Sequence, residues 1–296
     1  MNLKEYMNIR LEDINKIIEN IFDKSDIELE NSFIEMLKYP LDAGGKRLRP
    51  ILTCLACELF NGDYRKSLIP AVCLELIHTY SLVHDDLPAM DNDNLRRGKP
   101  TTHIKYGEAN AILVGDGLLT YSFQLLSKAE VSDYTLRKLL FELSYAAGIN
   151  AMVMGQFMDL YYEDKDINFD MLKVLHAKKT GAMIRGAVRL GAISSENINE
   201  NDIENITKYA EAIGLAFQIQ DDILDVVSDN ETLGKTAGKD EKEGKLTYIK
   251  QFGLDGAKDE AKKVADNALK YLDSYKDNDA KNILKELALY IIERKS

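Results

Sequence analysis

The chain is poor in the residues that interrupt helices or crosslink small folds. It has no tryptophan, three cysteines and five prolines, and residues 101–296 contain no proline at all. Three cysteines set in apolar sequence are too few for a disulfide framework, and the CLAC segment at 54–57 lacks a second pair of ligands for a structural zinc. A proline-free stretch of this length, rich in Leu, Ile, Ala, Glu and Lys, favours helix.

The chain also lacks an excess of positive charge and a long apolar run. Its 49 acidic and 38 basic residues give a net charge of -11, which argues against nucleic acid or an anionic membrane as a partner. No segment reaches the roughly 18 uncharged apolar residues of a membrane helix, and the first residues form no apolar signal core. We therefore expect a cytoplasmic protein with no stable membrane association, which binds any anionic substrate through metals and local clusters of cations.

Apolar residues recur at helical spacing along most of the chain, and alternating strand patterns are absent. No linker, repeat or low-complexity tract divides the sequence, so we predict one domain, 1–296. Because no heptad pattern is sustained, the predicted fold is all-α, a multi-helix bundle around a central apolar cavity. With Asp133 and Asn168 as N-caps, the later predicted helices cover about 27–39, 51–60, 66–87, 108–129, 133–161, 168–178, 180–194, 200–228, 255–274 and 278–294.

The most unusual stretch is residues 85–100, DDLPAMDNDNLRRGKP, where acidic residues are followed at once by basic ones. Asp85, Asp86 and Asp91 would repel one another unless a cation lies among them, and a hard divalent metal with oxygen ligands is the usual solution. The neighbouring Arg96 and Arg97 suggest an anion, such as a diphosphate, bridged by metal and protein. Taken alone, the stretch is more typical of a solvated helix end.

A second acidic cluster lies in FQIQDDILDVV, residues 217–227. Asp221 and Asp225 are four residues apart and share a helix face, with Asp222 beside them. The flanking apolar residues predict that this helix is mostly buried, where three carboxylates would be very costly without a bound metal. Near the N-terminus, residues 44–50 add a third feature, two glycines that allow close backbone approach to a ligand next to Lys46, Arg47 and Arg49. In isolation this third segment also fits an ordinary helix start.

Together these segments resemble the trans-prenyltransferase family, the head-to-tail isoprenyl diphosphate synthases, and most closely its short-chain bacterial members that make farnesyl diphosphate. The resemblance covers essentially the whole chain. Each motif is weak alone, but five in this order make coincidence very unlikely. The motifs are GGKRLRP at 44–50, DDLPAMDNDNLRRGKP at 85–100, KTGAMIRGAVRLGA at 179–192, QIQDDILDVVSD at 218–229 and TLGKTAGKDEKEGKLTY at 232–248.

The resemblance implies condensation of isopentenyl diphosphate with dimethylallyl or geranyl diphosphate through an allylic cation, with release of diphosphate. It implies Mg²⁺ as the cofactor, three ions per active site, with Mn²⁺ as an alternative metal. The implied metal ligands are Asp85, Asp86, Asp91, Asp221, Asp222 and Asp225. The implied ligands of the allylic diphosphate and its cation are Arg96, Lys179, Thr180, Gln218, Lys235 and Lys245, and the catalytic group is Lys179, Thr180, Gln218, Asp85, Asp86 and Asp221.

The family places isopentenyl diphosphate in a second site that needs no metal. The residues implied there are Gly45, Lys46, Arg49, His78 and Arg97. The glycines of residues 229–245 make that stretch a candidate lid over bound diphosphate. A homodimer is also expected from the resemblance.

Product length is expected to depend on Tyr80. It lies five residues before Asp85, about 7.5 Å along the helix axis, and in the family a bulky aromatic residue there stops chain growth. Tyr80, with Ser81 above it, therefore resembles a pocket of C15 length, although ordinary helix packing explains the same position. The alternatives are a geranylgeranyl or longer-chain synthase and, in another class, a non-catalytic partner subunit of a prenyl synthase. A terpene cyclase would not need the basic segment at 44–50 or the second acidic cluster.

Overall fold

Helices form most of the chain that the structure describes, which confirms the predicted all-α class. The computed structural model describes residues 1–22, 31–163, 165–227 and 246–294. In chain order the helices are α1 Leu3–Asn20, α2 Asn31–Leu41, α3 Leu48–Leu59, α4 Arg65–Asp85, α5 Thr102–Tyr106, α6 Glu108–Leu126, α7 Asp133–Ala147, α8 Met152–Tyr161, α9 Phe169–His176, α10 Ala182–Ser194, α11 Glu200–Val227, α12 Tyr248–Leu272 and α13 Asp279–Glu293.

Two helices, α4 and α10, lie at the centre of the bundle. α10 packs against α3, α4, α7 and α11, and α4 also packs against α3 and α6. Leu74, Ile77 and Val188 on these helices are fully buried, as expected for helices that are apolar on most sides. By length and composition α4 would also be able to cross a membrane, but 67% of that apolar window is buried inside the fold, as in a core helix.

Helix ends differ from the sequence prediction where local capping decides them. Ser132, not Asp133, is the N-cap of α7, and its side chain accepts a hydrogen bond from the Thr135 backbone N–H. Asn168 caps α9 as predicted. The predicted single helix over 133–161 is wrong, because the chain leaves helical geometry at Gly148 and at Ala151 (φ -142°, ψ -108°) and so forms α7 and α8 separately.

The end of α2 and the start of α12 also differ from the sequence prediction. α2 continues through Pro40 to Leu41, because a proline in the last turn removes only one hydrogen bond. The predicted start of that helix, near residue 27, lies outside the described residues. α12 begins at Tyr248, earlier than predicted, with Thr247 as its N-cap, and it kinks at Gly253, where φ is 71°.

Residues 95–100 form a small antiparallel hairpin that the sequence did not predict. Strands β1 Leu95–Arg96 and β2 Lys99–Pro100 are joined by Arg97 and Gly98, both with positive φ. Positive φ at both central residues is the signature of a type I′ turn, whose twist matches that of the strands. The hairpin is the next element in the chain after α4. It carries two of the predicted substrate-binding arginines, Arg96 and Arg97.

Candidate active site

The first acidic cluster forms where α4 ends and the chain turns back on itself. The backbone N–H of Asp91 donates to the carbonyl of Asp85 at 2.8 Å, so the turn around Pro88 brings the two residues together. Burial raises the pKa of Asp85 to about 7, and the nearby charge of Asp91 contributes to the increase while Lys179 opposes it. A buried carboxyl next to other carboxylates is a group that a divalent cation would stabilise in its charged form.

Asp86, which is 3% exposed, is held by Arg96 of the hairpin. Arg96 Nε donates to Asp86 Oδ1 at 3.1 Å, and its Nη2 lies 3.5 Å from Asp93 Oδ2. Burial raises the pKa of Asp86, and the guanidinium limits that increase. The structure thus pairs a predicted metal ligand with a predicted ligand of the allylic diphosphate.

The five residues predicted to bind isopentenyl diphosphate come from three segments of the chain. Arg97 donates to the Gly44 carbonyl and packs over Gly45, where a Cβ atom would lie 2.7 Å from the guanidinium. Arg49 Nη1 lies 3.3 Å from His78 Nε2. Burial and the charges of Arg49 and Arg97 lower the pKa of His78 well below its ordinary value, so the ring is neutral. These residues form a cation cluster that a phosphate group would neutralise.

Lys46 and Arg47 are adjacent in sequence but differ in environment. Arg47 has a left-handed backbone, with φ 47°, and its side chain is buried. Its Nη1 lies 2.7 Å from Glu75 Oε1, and its Nη2 donates to the Leu41 carbonyl. Lys46 is exposed at the surface, although neighbouring atoms partly desolvate its ammonium, and this together with the charge of Arg294 lowers its pKa. The structure therefore gives Arg47 a stabilising role and leaves Lys46 at the surface.

The second acidic cluster lies near the C-terminal end of α11. Asp222 and Asp225 are buried, and Asp222 Oδ2 accepts a hydrogen bond from the Tyr248 backbone N–H at 2.8 Å. Asp221 is more exposed and forms an ion pair with Arg294, which follows α13. Arg294 also donates to the Phe217 carbonyl at 3.2 Å and lies over the Phe217 ring at 3.9 Å. Arg294 is a site residue that no sequence motif indicated.

Residues 177–181 form one turn of π-helix between α9 and α10, a geometry often found at functional sites. The turn directs its two lysines to different places. Lys178 Nζ donates to the Asn150 carbonyl at 2.9 Å, whereas Lys179 Nζ lies 2.6 Å from Asp159 Oδ2 on α8. Burial alone would lower the pKa of Lys179, but the carboxylates of Asp159 and Asp85 raise it. The structure thus distinguishes the two lysines and places Lys179 near Asp85.

The remaining predicted residues differ in how completely the structure describes them. Gln218 has a buried Oε1 atom with no hydrogen-bond partner in the described chain. Thr180 is half-buried in the π-helical turn. Tyr80 is buried and contacts the His84 ring edge-on at 5.7 Å, and the Ser81 hydroxyl donates to the His78 carbonyl. Lys235, Lys245 and the candidate lid over 229–245 lie outside the described residues.

Two residues of α8 were missed because no acidic or basic motif contains them. Asp159 pairs with Lys179, and Gln156, three residues earlier on the same helix face, has a buried Nε2 without a partner in the described chain. A signal for both was present in the segment GQFMD, residues 155–159. Gly155 and Gln156 precede Asp159 by four and three residues, so all three lie on one side of a helix.

The predicted metal ligands belong to two carboxylate clusters, one after α4 and one near the end of α11. Within the described ranges, no three Asp, Glu, His or Cys side chains are already grouped closely enough to hold a metal ion. The donors are nevertheless all carboxylate oxygens, which suit a hard divalent ion. Burial raises the pKa of Asp85 to about 7. A cation bound nearby would lower that pKa again. The residues therefore fit Mg²⁺, which would take the place of the arginine partners of Asp86 and Asp221.

Solved structures share this arrangement of helices. A putative farnesyl-diphosphate synthase from Marinomonas sp. MED121 superposes with a TM-score of 0.85, at 38% identity, over 99% of this chain and 100% of that one. A geranyltransferase from Helicobacter pylori, solved with magnesium and isoprenyl diphosphate, superposes with a TM-score of 0.80, at 34% identity, over 98% and 96% of the two chains. The fold is that of the all-α isoprenoid synthases.

Sequence comparison then gives the family. Residues 30–287 match the family described as polyprenyl synthetase. The farnesyl diphosphate synthase of Escherichia coli is 48% identical over 88% of this chain and 89% of its own length. Geranylgeranyl pyrophosphate synthase 4 of Arabidopsis thaliana is 40% identical over 99% of this chain and 78% of its own length. The chain belongs to the polyprenyl synthetase family and is a prenyltransferase.

Proposed function

We propose that the protein makes farnesyl diphosphate by head-to-tail condensation of isopentenyl diphosphate with dimethylallyl and then geranyl diphosphate. The observation that carries this proposal is the presence of two separate groups of cations. One group, Lys179 and Arg96, lies beside the first acidic cluster. The other, which includes Arg49 and Arg97, surrounds the neutral ring of His78. The reaction involves two diphosphates, one released from the allylic substrate and one retained from isopentenyl diphosphate. Each needs its own cation site.

The allylic diphosphate belongs beside the acidic clusters. Mg²⁺ bound there would neutralise the charge that develops on the leaving diphosphate. Lys179 and Arg96 would bind the same diphosphate, and fixed cations aimed at developing charge stabilise the transition state. Support for the metal comes from the Helicobacter pylori structure with magnesium and isoprenyl diphosphate. The proposed ligands are Asp85, Asp86, Asp91, Asp221, Asp222 and Asp225, and three ions per site is our prediction.

Isopentenyl diphosphate belongs in the cation cluster built on Gly45, Lys46, Arg49, His78 and Arg97. The ring of His78 is neutral because burial and the neighbouring arginines lower its pKa. It therefore accepts a hydrogen bond from Arg49 and orients that guanidinium. The cluster concentrates positive charge at one place, which suits a diphosphate that stays attached to the product. Thr180 and Gln218 would stabilise the allylic cation through their polar groups.

Release of inorganic diphosphate, followed by a coupled colorimetric assay, tests the proposed reaction. We expect release only when Mg²⁺, isopentenyl diphosphate and an allylic diphosphate are all present, and none after chelation with EDTA. Release from the allylic substrate alone would instead indicate ionisation without condensation, as in a terpene cyclase. No release under any condition would favour a non-catalytic partner subunit. Asp85→Asn, which keeps the size of the side chain, should abolish release in a folded protein.

We further propose a homodimer, and large exposed apolar side chains on α6, α7 and α8 support it. Leu113, Phe141 and Phe157 on these helices are more than half exposed, and Ile149, between α7 and α8, is 74% exposed. Exposed apolar side chains of this size are typical of an interface when they are contiguous. Light scattering after size-exclusion chromatography should give twice the 33.4 kDa chain mass, and Phe141→Glu should shift the protein toward the monomer. An unchanged monomer mass in both proteins would contradict the proposal.

Three statements remain predictions from the sequence. They are a cytoplasmic location, the absence of a nucleic-acid partner or stable membrane association, and a single domain spanning 1–296. The net charge of -11 supports the second, and the family match over residues 30–287 supports the third.

A further inference from the structure

α8 and the π-helical turn lie almost backbone against backbone. A Cβ atom at Gly155 would be 2.3 Å from the backbone nitrogen of Lys179, so a larger residue would have to push the two segments apart. Asp159 follows one helical turn later, on the same face of α8 as Gly155. Its Oδ2 lies 2.6 Å from Lys179 Nζ. The close approach at Gly155 therefore fixes where the Asp159 carboxylate meets the Lys179 ammonium.

Lys179 lies within the influence of three carboxylates, those of Asp85, Asp91 and Asp159, from different parts of the chain. Asp85, at the end of α4, and Asp159, on α8, both act on its charge, and the hydrogen bond is made to Asp159. The side chains of Lys179 and Asp159 are 27% and 16% exposed, so their attraction is less screened than that of a surface pair. Without Asp159, Asp85 would be the carboxylate with the largest remaining effect on the ammonium.

We infer that Asp159 is a positioning residue that holds the Lys179 ammonium away from Asp85. This inference rests on the proposed function. An ammonium has three N–H donors. With one of them on Asp159, the others are directed by that contact toward the allylic diphosphate. Asp85 then keeps its carboxylate for the metal, and Lys179 remains available to the leaving group. Asp159 thus acts through Lys179 and does not itself touch the reacting atoms.

A double-mutant cycle tests whether Asp159 acts through Lys179. Asp159→Asn keeps the shape of the side chain and removes its charge. In the otherwise unchanged enzyme we expect kcat to fall about 10- to 100-fold, the usual effect of losing a partner that orients a charged group. In a Lys179→Met background the same substitution should change kcat less than about twofold. Asp159→Glu, which restores the charge, should recover part of the loss.

Binding of inorganic diphosphate with Mg²⁺, followed by titration calorimetry, gives the same cycle a readout that does not need turnover. Asp159→Asn should weaken binding about tenfold when Lys179 is present and have little effect when it is absent. The matched control is Asp170→Asn on α9, because Asp170 makes an exposed pair with Lys173 at 2.7 Å. Its effect on kcat and on binding should stay within about twofold.

Two results would overturn the inference. Equal losses from Asp159→Asn in both backgrounds would show that Asp159 acts independently of Lys179, as a purely structural residue would. Unchanged kcat and unchanged binding in the otherwise unmodified enzyme would show that the contact has no role. Failure of the unmodified protein to condense its substrates would count against the proposed function instead, while the calorimetric cycle would still decide the relation between Asp159 and Lys179.

Discussion

Arg96 and Asp86 form an ion pair that joins the hairpin to the C-terminal end of α4, with Arg96 Nε 3.1 Å from Asp86 Oδ1. Asp86 is 3% exposed, so its charge depends on this partner when no metal is bound. Removing one member of a buried ion pair is far more costly than removing an exposed pair. The same arginine is proposed to bind diphosphate, so one residue would contribute both to the stability of the site and to catalysis.

Arg96→Met should therefore lower the free energy of unfolding of the metal-free protein by about 3 kcal/mol. Mg²⁺ should recover part of that loss, since it would give Asp86 another cation. Chemical denaturation with and without Mg²⁺ measures both effects. Arg65→Met is the control, because Arg65 pairs with Asp63 on the surface and its loss should change the free energy of unfolding far less. Equal costs for the two variants would contradict the account of Asp86.

Substitutions of the neighbouring residues Lys46 and Arg47 should have different effects, one on substrate binding and the other on stability. Arg47→Met leaves the carboxylate of Glu75 buried without its partner, and we expect the free energy of unfolding to fall by about 3–5 kcal/mol. Lys46→Met should leave stability within about 0.5 kcal/mol and raise the KM for isopentenyl diphosphate. Denaturation and steady-state kinetics on both variants check the contrast. A stability loss from Lys46→Met as large as that from Arg47→Met would show that the assignment is wrong.

Tyr80 should limit the length of the product. It lies five residues before Asp85 on α4 and its ring is buried, and Tyr80→Ala and Tyr80→Asp would remove that bulk. We expect both variants to shift the product from fifteen toward twenty carbons, as judged by chromatography of the dephosphorylated alcohols. The alanine variant will also lose stability, by about 3 kcal/mol for a large buried aromatic, so circular dichroism should confirm folding first. An unchanged C15 product from both folded variants would contradict the proposed role.

His176 should make stability depend on pH. It stacks on Tyr248 at 6.0 Å, and burial lowers its pKa to about 4, with Lys179 acting in the same direction and Asp159 opposing it. The unfolded chain, with a histidine pKa of about 6.5, binds more protons than the folded one between these values. The free energy of unfolding should therefore fall as pH decreases from about 6.5 to about 4, by up to about 3 kcal/mol from this residue.

The measurement for His176 is urea denaturation of the unmodified protein and of His176→Gln at several pH values in that range. Other titrating groups contribute to both proteins, so the difference between the two isolates His176. We expect the unmodified protein to lose more stability on acidification than the variant does. Parallel pH curves would contradict the assignment.

The sequence indicated the parts of the candidate site whose signals are local. Acidic residues four apart on an apolar helix, and glycines next to basic residues, are recognisable without a fold, and so is the helical periodicity that gives the all-α class. The inward direction of Arg47 was not predictable in this way. It depends on a left-handed backbone and on Glu75, 28 residues away.

Pairings across the fold were also beyond the sequence. Asp221 and Arg294 are 73 residues apart, and nothing in the local pattern of either indicates the other. Asp159 meets Lys179 because α7 and α8 are separate helices and because Gly155 allows contact with a π-helical turn. A single helix over 133–161, as predicted, would not have suggested that geometry.

The central claim is prenyl transfer to a C15 product, and product analysis tests it most directly. The purified protein would be incubated with Mg²⁺, isopentenyl diphosphate and either dimethylallyl or geranyl diphosphate, and the dephosphorylated products separated by chromatography. We predict farnesol as the main product from either primer. A C20 or longer alcohol would keep the reaction and contradict the role of Tyr80, and no condensation with either primer would contradict the claim itself.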